Sequence, residues 1–201
     1  MAALHQHCQA CRRCGLASQR QQVVIGRGNP QARLLLIGEA PGADEDASGL
    51  PFVGRSGQLL DRLLHGAGLD PQRDLYICNA IKCRPPGNRK PKAAELAACR
   101  PWLAQQITLL NPAVVLLLGA TALEAVLGLK GPITRLRGQW LSAAQGPLTA
   151  ELAGRQLMPL LHPSYLLRFA ADREGSPRHL TRGDLQRVQA RLVEPQAEPA
   201  L

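Results

Sequence analysis

Apolar residues along the chain fall in short unbroken runs separated by glycine, proline and charge. Runs at 34–37 (Leu34-Leu35-Leu36-Ile37), 75–81, 113–118 and 156–161 lack the alternation of a half-exposed strand and predict strands buried on both faces. A shorter run at 139–142 is a candidate for a further short strand. Between them, 56–67, 92–110 and 121–127 carry helical patterns, with Pro91 suited to the first turn of the second and Ala120 or Thr121 near the start of the third. Strands alternating with helices at this spacing predict an α/β fold, a three-layer α/β/α arrangement around a central four-stranded parallel sheet. An arginine-rich helix is expected near 180–192, a frayed tail at 194–201, and an arm without core periodicity at 1–22, all within a single domain spanning 1–201.

In open parallel sheets, ligands sit outside the carboxyl ends of the strands. The four main runs end on Gly38-Glu39-Ala40-Pro41-Gly42, on Asn79, on Gly119 and on His162-Pro163-Ser164, so these should meet on one rim. The first tip opens a loop to Gly54 whose glycines admit a ligand to the backbone and whose Pro41 and Pro51 stiffen it. The acidic residues of this loop stand beside Phe52 in a basic chain; the plain alternative is a solvated acidic loop. A Glu, an Asn and a His converging beside a phenylalanine make a pocket for a flat, hydrogen-bonding ligand.

Charge narrows the partner. The net charge is +9 and the isoelectric point about 9.9, which favours polyanions, nucleic acid before anionic membrane, unless it is only a general arginine bias. No apolar stretch approaches a membrane span and residues 1–10 lack a signal-peptide core, so a cytoplasmic protein is expected. Disulfides are disfavoured there, and the six cysteines suggest metal or redox chemistry. Cys11 and Cys14 form a CxxC; Cys83 and Cys99 flank a proline-rich loop. Four thiolates from two distant segments can close a tetrahedral zinc site or hold an iron-sulfur cluster, and spacing does not choose between them. Cys8 could replace Cys11 or Cys14, His5 and His7 keep a mixed zinc site open, Cys83 and Cys99 could be buried fillers, and Cys78 belongs to a strand core.

Gly38-Glu39-Ala40-Pro41-Gly42 with Pro51-Phe52-Val53-Gly54, Tyr76-Ile77-Cys78-Asn79 leading to Lys82-Cys83-Arg84-Pro85-Pro86, and His162-Pro163-Ser164-Tyr165-Leu166-Leu167-Arg168 together resemble the family 4 uracil-DNA glycosylases. These are bacterial and archaeal base-excision repair enzymes that carry a 4Fe-4S cluster. The resemblance runs from Cys11 to Phe169. It implies Cys11, Cys14, Cys83 and Cys99 as cluster ligands, uracil in single- or double-stranded DNA as substrate, and release of free uracil to leave an abasic site. Phe52 would stack on the extruded base, Asn79 would read its O4 and N3–H edge, and His162 would donate to O2. Pro41 belongs to the base-binding loop, and the backbone amides of Glu39 and Ala40 could add donors. Better-known uracil glycosylases carry a water-orienting aspartate where this chain has Ala40, so leaving-group stabilisation is expected to dominate, with Glu39 assisting water or the sugar cation or tying down the loop. Glu45 would stand against uracil C5, Asn88 would touch a base-side water or the DNA backbone, and Arg84, Arg89, Lys90, Arg168 and the arginines of 135–137 would contact phosphates. Competing expectations are a non-catalytic iron-sulfur DNA-binding or damage-sensing module and a zinc-stabilised nucleotide-binding protein. A monomer is expected.

Overall fold

The computed structural model describes residues 1–169 and 172–193. The chain runs through α1 (Ala2–Gln9), β1 (Arg27–Gly28), β2 (Leu34–Gly38), α2 (Ala43–Ser48), α3 (Arg55–Gly66), β3 (Leu75–Asn79) and α4 (Ala93–Leu110). It continues through β4 (Val114–Leu118), α5 (Gly119–Leu127), α6 (Ile133–Leu136), β5 (Leu141–Ser142), β6 (Gln156–Leu160), α7 (Pro163–Leu166) and α8 (Pro177–Val193). Every residue of β2, β3 and β4 is buried, as unbroken apolar runs require of strands covered on both faces. Successive side chains point to opposite faces. Leu34, Leu36, Ile77 and Leu116 pack with Leu60 and Leu64 of α3 and Leu185 and Val188 of α8, while Leu35, Ile37, Val115 and Leu117 pack with Leu103 and Ile107 of α4 and Leu123 and Val126 of α5. Each such leucine contributes about 1.5–3 kcal/mol by burial.

The sheet has six strands in the order β1-β3-β2-β4-β6-β5. β3, β2, β4 and β6 pair in parallel and form the expected four-stranded centre. The two-residue strands β1 and β5 add antiparallel edges. β5 lies within the 139–142 run, whereas β1 is too short to show a period in sequence.

The other differences are also local. The arm 1–22 contains α1, which buries Leu4 and Cys8 against Val23, Ile25 and Trp102; two inward residues one turn apart leave no readable stripe. The loop 38–54 contains α2, capped by Gly42, with Asp44, Glu45 and Asp46 in its first turn, where carboxylates complement the helix dipole. α4 starts after Lys92, so Pro91 precedes the helix instead of entering its first turn, and Pro101 lies inside it. The expected tail at 194–201 lies outside the described residues. Among the described residues, no helix is long and apolar enough to cross a membrane.

Candidate active site

At the rim where the strand tips meet lies a cavity of about 270 Å3, slightly below the range of pockets for drug-sized ligands, about 300–1,000 Å3. It brings together Glu39, Ala40, Pro41, Glu45, Phe52, Asn79, Asn88 and His162, with Gly42, Ser56, Pro85, Arg89 and Ser164 completing the lining. Phe52 is buried and holds φ at 56°, a left-handed conformation that is costly for a bulky residue, of order 1–3 kcal/mol. Its ring centroid lies 6.1 Å from that of His162. Two glycines make the arrangement possible. A Cβ on Gly57 would fall 1.8 Å from the Phe52 carbonyl oxygen, and one on Gly38 would fall 2.4 Å from the Phe52 ring and 2.5 Å from Asn79 Oδ1.

Asn79, at the end of β3, is 2% exposed, and its Oδ1 has no hydrogen-bond partner. Such a buried acceptor costs about 1–3 kcal/mol unless something pairs with it. Its own carbonyl is fixed by Lys82 Nζ at 2.6 Å.

His162 caps the N-terminus of α7. Its Nδ1 accepts from the Ser164 backbone N–H at 3.2 Å and lies 2.8 Å from Ser164 Oγ. Acceptance at Nδ1 places the ring proton on Nε2. Desolvation lowers the His162 pKa below the ordinary histidine value, with Glu39 pulling the other way. The imidazole is therefore a neutral donor. Ser164 was part of the sequence motif, but only the structure shows it fixing the tautomer.

Glu45 is held by the backbone. Oε2 accepts from Gly42 N–H at 2.9 Å, and Oε1 accepts from the N–H groups of Val53 and Gly54 at 2.9 Å each. Its carboxylate stitches both ends of the 42–54 loop together. Of the proposed phosphate contacts, Arg84 donates to Asn88 Oδ1 at 2.7 Å, Arg89 forks onto Glu95 at 2.6 and 2.9 Å and keeps that carboxyl below its usual range, and Lys90 reaches Glu124 at 3.1 Å. Arg137 is engaged by the buried Asp184, while Arg168 is exposed just beyond α7.

Behind the cavity, Cys11, Cys14, Cys83 and Cys99 border one small enclosed space together with Cys8, Arg20, Lys82 and Trp102. None of the six cysteines is in a disulfide. Three N–H groups point at sulfur: Trp102 Nε1 to Cys11 at 3.2 Å, the Lys82 backbone to Cys99 at 3.3 Å and Arg20 Nη1 to Cys83 at 3.4 Å. Burial raises the Cys83 thiol, pushes Cys99 to about 11 and pushes Cys8 to about 12. Among the described residues, no group of three or more His, Cys, Asp or Glu is arranged to share one metal ion. Lys82 is 1% exposed, beside the thiols of Cys8, Cys78 and Cys99. Sequence carries no signal for Arg20 or Trp102, whose contacts join distant segments, and marks Lys82 only as a member of the motif that leads into Cys83.

Parallel strand tips around a cavity of this size, with a buried aromatic, an unpaired amide oxygen and an imidazole, have the shape and polar edge that a flat heterocycle would fit. The chain belongs to the uracil DNA glycosylase superfamily, whose family model matches residues 25–185. It is 40% identical to the Type-4 uracil-DNA glycosylase of Thermotoga maritima over 191 residues, 94% of this chain and 93% of that protein. It is 39% identical to the Type-4 enzyme of Pyrobaculum aerophilum over 171 residues, 84% of this chain and 85% of that one. A Type-5 uracil-DNA glycosylase from Thermus thermophilus matches at 39% over 155 residues, 70% of this chain and 68% of that protein.

Proposed function

We propose that the chain hydrolyses the bond between uracil and deoxyribose in DNA, releasing uracil and leaving an abasic site. The observation that carries this reading is the unpartnered Asn79 Oδ1 on a cavity shared with Phe52 and His162. The target bond is inaccessible in a stacked duplex, so the nucleotide must be extruded, at a cost of a few kcal/mol. Stacking on Phe52 returns about 1–3 kcal/mol. Asn79 Oδ1 accepts from uracil N3–H while its amide donates to O4; cytosine presents the opposite order and leaves both pairs unmet. Glu45, immobilised by three amides, is a fixed wall against C5 that excludes the thymine methyl.

As the bond breaks, its electron pair passes to uracil N1 and spreads onto O2, where His162 Nε2–H donates. One such donor is worth about 2.7–4 kcal/mol in the transition state. Water adds to the sugar cation; Ala40 cannot take the proton it loses, which passes to Glu39 or to solvent and balances the proton the uracil anion takes up, and Glu39 is the carboxylate that assists water or steadies the cation. Asn88, ordered by Arg84, stands at the rim for a base-side water or the DNA backbone. Arg84, Arg89, Lys90 and Arg168 supply positive charge toward the phosphates.

For the cage we propose a 4Fe-4S cluster on Cys11, Cys14, Cys83 and Cys99. The donor set fits. The sulfurs of Cys11, Cys83 and Cys99 receive N–H groups suited to thiolates, and the side chains of Arg20 and Lys82 line the same space. The cluster would supply a cross-link between the N-terminal arm and the 83–99 segment, with no part in bond cleavage. Purified protein should convert a uracil-containing oligonucleotide, but not its thymine counterpart, to an alkali-labile product. An alkali-resistant uracil strand would overturn the reading, and salt-sensitive binding without turnover would favour the non-catalytic module. An absorbance band near 400 nm is the expected mark of the cluster; a colourless, zinc-containing preparation would contradict it.

A further inference from the structure

Phe52 does not hold its own conformation. We infer that Arg27 and Asp61 form a clamp that sets the Phe52 platform, making Arg27 a positioning residue for base capture. The inference rests on the reading of Phe52 as the surface that receives the extruded base. Arg27 Nε donates to the Pro51 carbonyl at 2.8 Å, and Nη2 donates to the Phe52 carbonyl at 3.3 Å and to Asp61 Oδ1 at 2.6 Å. The Arg27 side chain is only 10% exposed, against 33% for Asp61. One guanidinium thus grips two consecutive carbonyls on either side of the residue at positive φ and is itself oriented by a carboxylate from α3. That planar fork is geometry a lysine cannot reproduce.

The short strand β1 delivers this side chain. Arg27 is paired with Ile77 of β3, and its neighbours have no room to be anything but glycine. A Cβ on Gly26 would lie 2.4 Å from the Tyr76 ring, and Gly28, at φ 99°, would place one 2.3 Å from the Leu75 carbonyl. The edge strand is pressed onto β3 on both sides of the arginine. From the opposite direction, Gly57 lets the first turn of α3 close on the same Phe52 carbonyl. The Phe52 backbone is therefore fixed from β1 and α3 at once, and neither Arg27 nor Asp61 lines the cavity.

The test is a double-mutant cycle on uracil release, read as kcat/KM, with thermal unfolding and the band near 400 nm as controls for the fold and cage. Phe52→Ala is expected to lower kcat/KM about 10- to 100-fold. Arg27→Ala should lower it about tenfold, mainly through KM, Arg27→Lys should not restore it, and Asp61→Asn should lower it about threefold. In the Phe52→Ala background, Arg27→Ala should change nothing beyond about twofold. Independent, multiplying losses would overturn the clamp, as would a kcat/KM for Arg27→Ala equal to wild type while Phe52→Ala is impaired. Should Arg27→Ala fail to fold, the same cycle with Asp61→Asn decides the matter. If Phe52→Ala alone is silent, the platform reading falls and the clamp falls with it, a result distinguishable from failure of the clamp alone.

Discussion

In the base cavity, polar groups are fixed by the polypeptide itself. Glu45 is held by three amides, the Asn79 carbonyl by Lys82, and His162 Nδ1 by Ser164. In the cysteine cage, N–H groups point at Cys11, Cys83 and Cys99, the Lys82 side chain is buried beside them, and burial raises the pKa of Cys83 and Cys99. Among the buried side-chain atoms lining the cavity one, Asn79 Oδ1, has no partner, whereas three sulfurs of the cage each receive an N–H group. Preorganised dipoles suit a site that must meet a transient charge without rearranging. The cluster proposed for the cage would act as a staple that locks the N-terminal arm in place.

The largest expected effect separates the two regions. Cys99→Ala should abolish the 400 nm band and lower the Tm by about 10 °C or more, since several kcal/mol of ligand binding is lost and each kcal/mol moves a chain of this size by about 2–4 °C. His162→Ala should do the reverse: kcat falls about 100- to 1,000-fold while the band stays and the Tm drops by only about 1–8 °C, the cost of the lost α7 cap. Acidity tests the same residue. Burial depresses its folded pKa below the ordinary 6.5, so the unfolded chain binds the proton first. The stability contribution is complete above pH 6.5 and lost as the pH falls from there to the folded value. Wild type should show this acid limb in pH-dependent unfolding, and His162→Ala should lack it.

Asn79→Ala is expected to reduce preference for uracil over cytosine about ten- to a hundredfold, measured on matched oligonucleotides, with the cage untouched. The smallest effect should blur the comparison. Lys82 joins the regions through its backbone N–H to Cys99 and its Nζ to the Asn79 carbonyl. Lys82→Met should shift the visible band and weaken uracil selectivity by about threefold to tenfold together, about one hydrogen bond's worth.

The central strands were legible because burial on both faces leaves an unbroken apolar run, and Glu39, Asn79 and His162 were legible because parallel strands place their tips on one rim, while Glu45 and Asn88 came only from the resemblance. β1, α1 and α2 were not: each is short, and what holds them is contact with distant segments, such as Gly26 on Tyr76 or Leu4 and Cys8 on Trp102. The sequence also showed Arg84, Arg89 and Lys90 only as positive charge, whereas folding gives each an internal partner. Pairings between side chains far apart in sequence leave no mark on local pattern.

The most direct measurement compares leaving groups. Single-turnover release of uracil and of 5-fluorouracil, whose ring is the more stable anion, should be followed in wild type and His162→Ala. If fixed dipoles at O2 stabilise the departing base, the deficit of His162→Ala shrinks markedly for 5-fluorouracil. An equal deficit for both bases would contradict leaving-group stabilisation by His162.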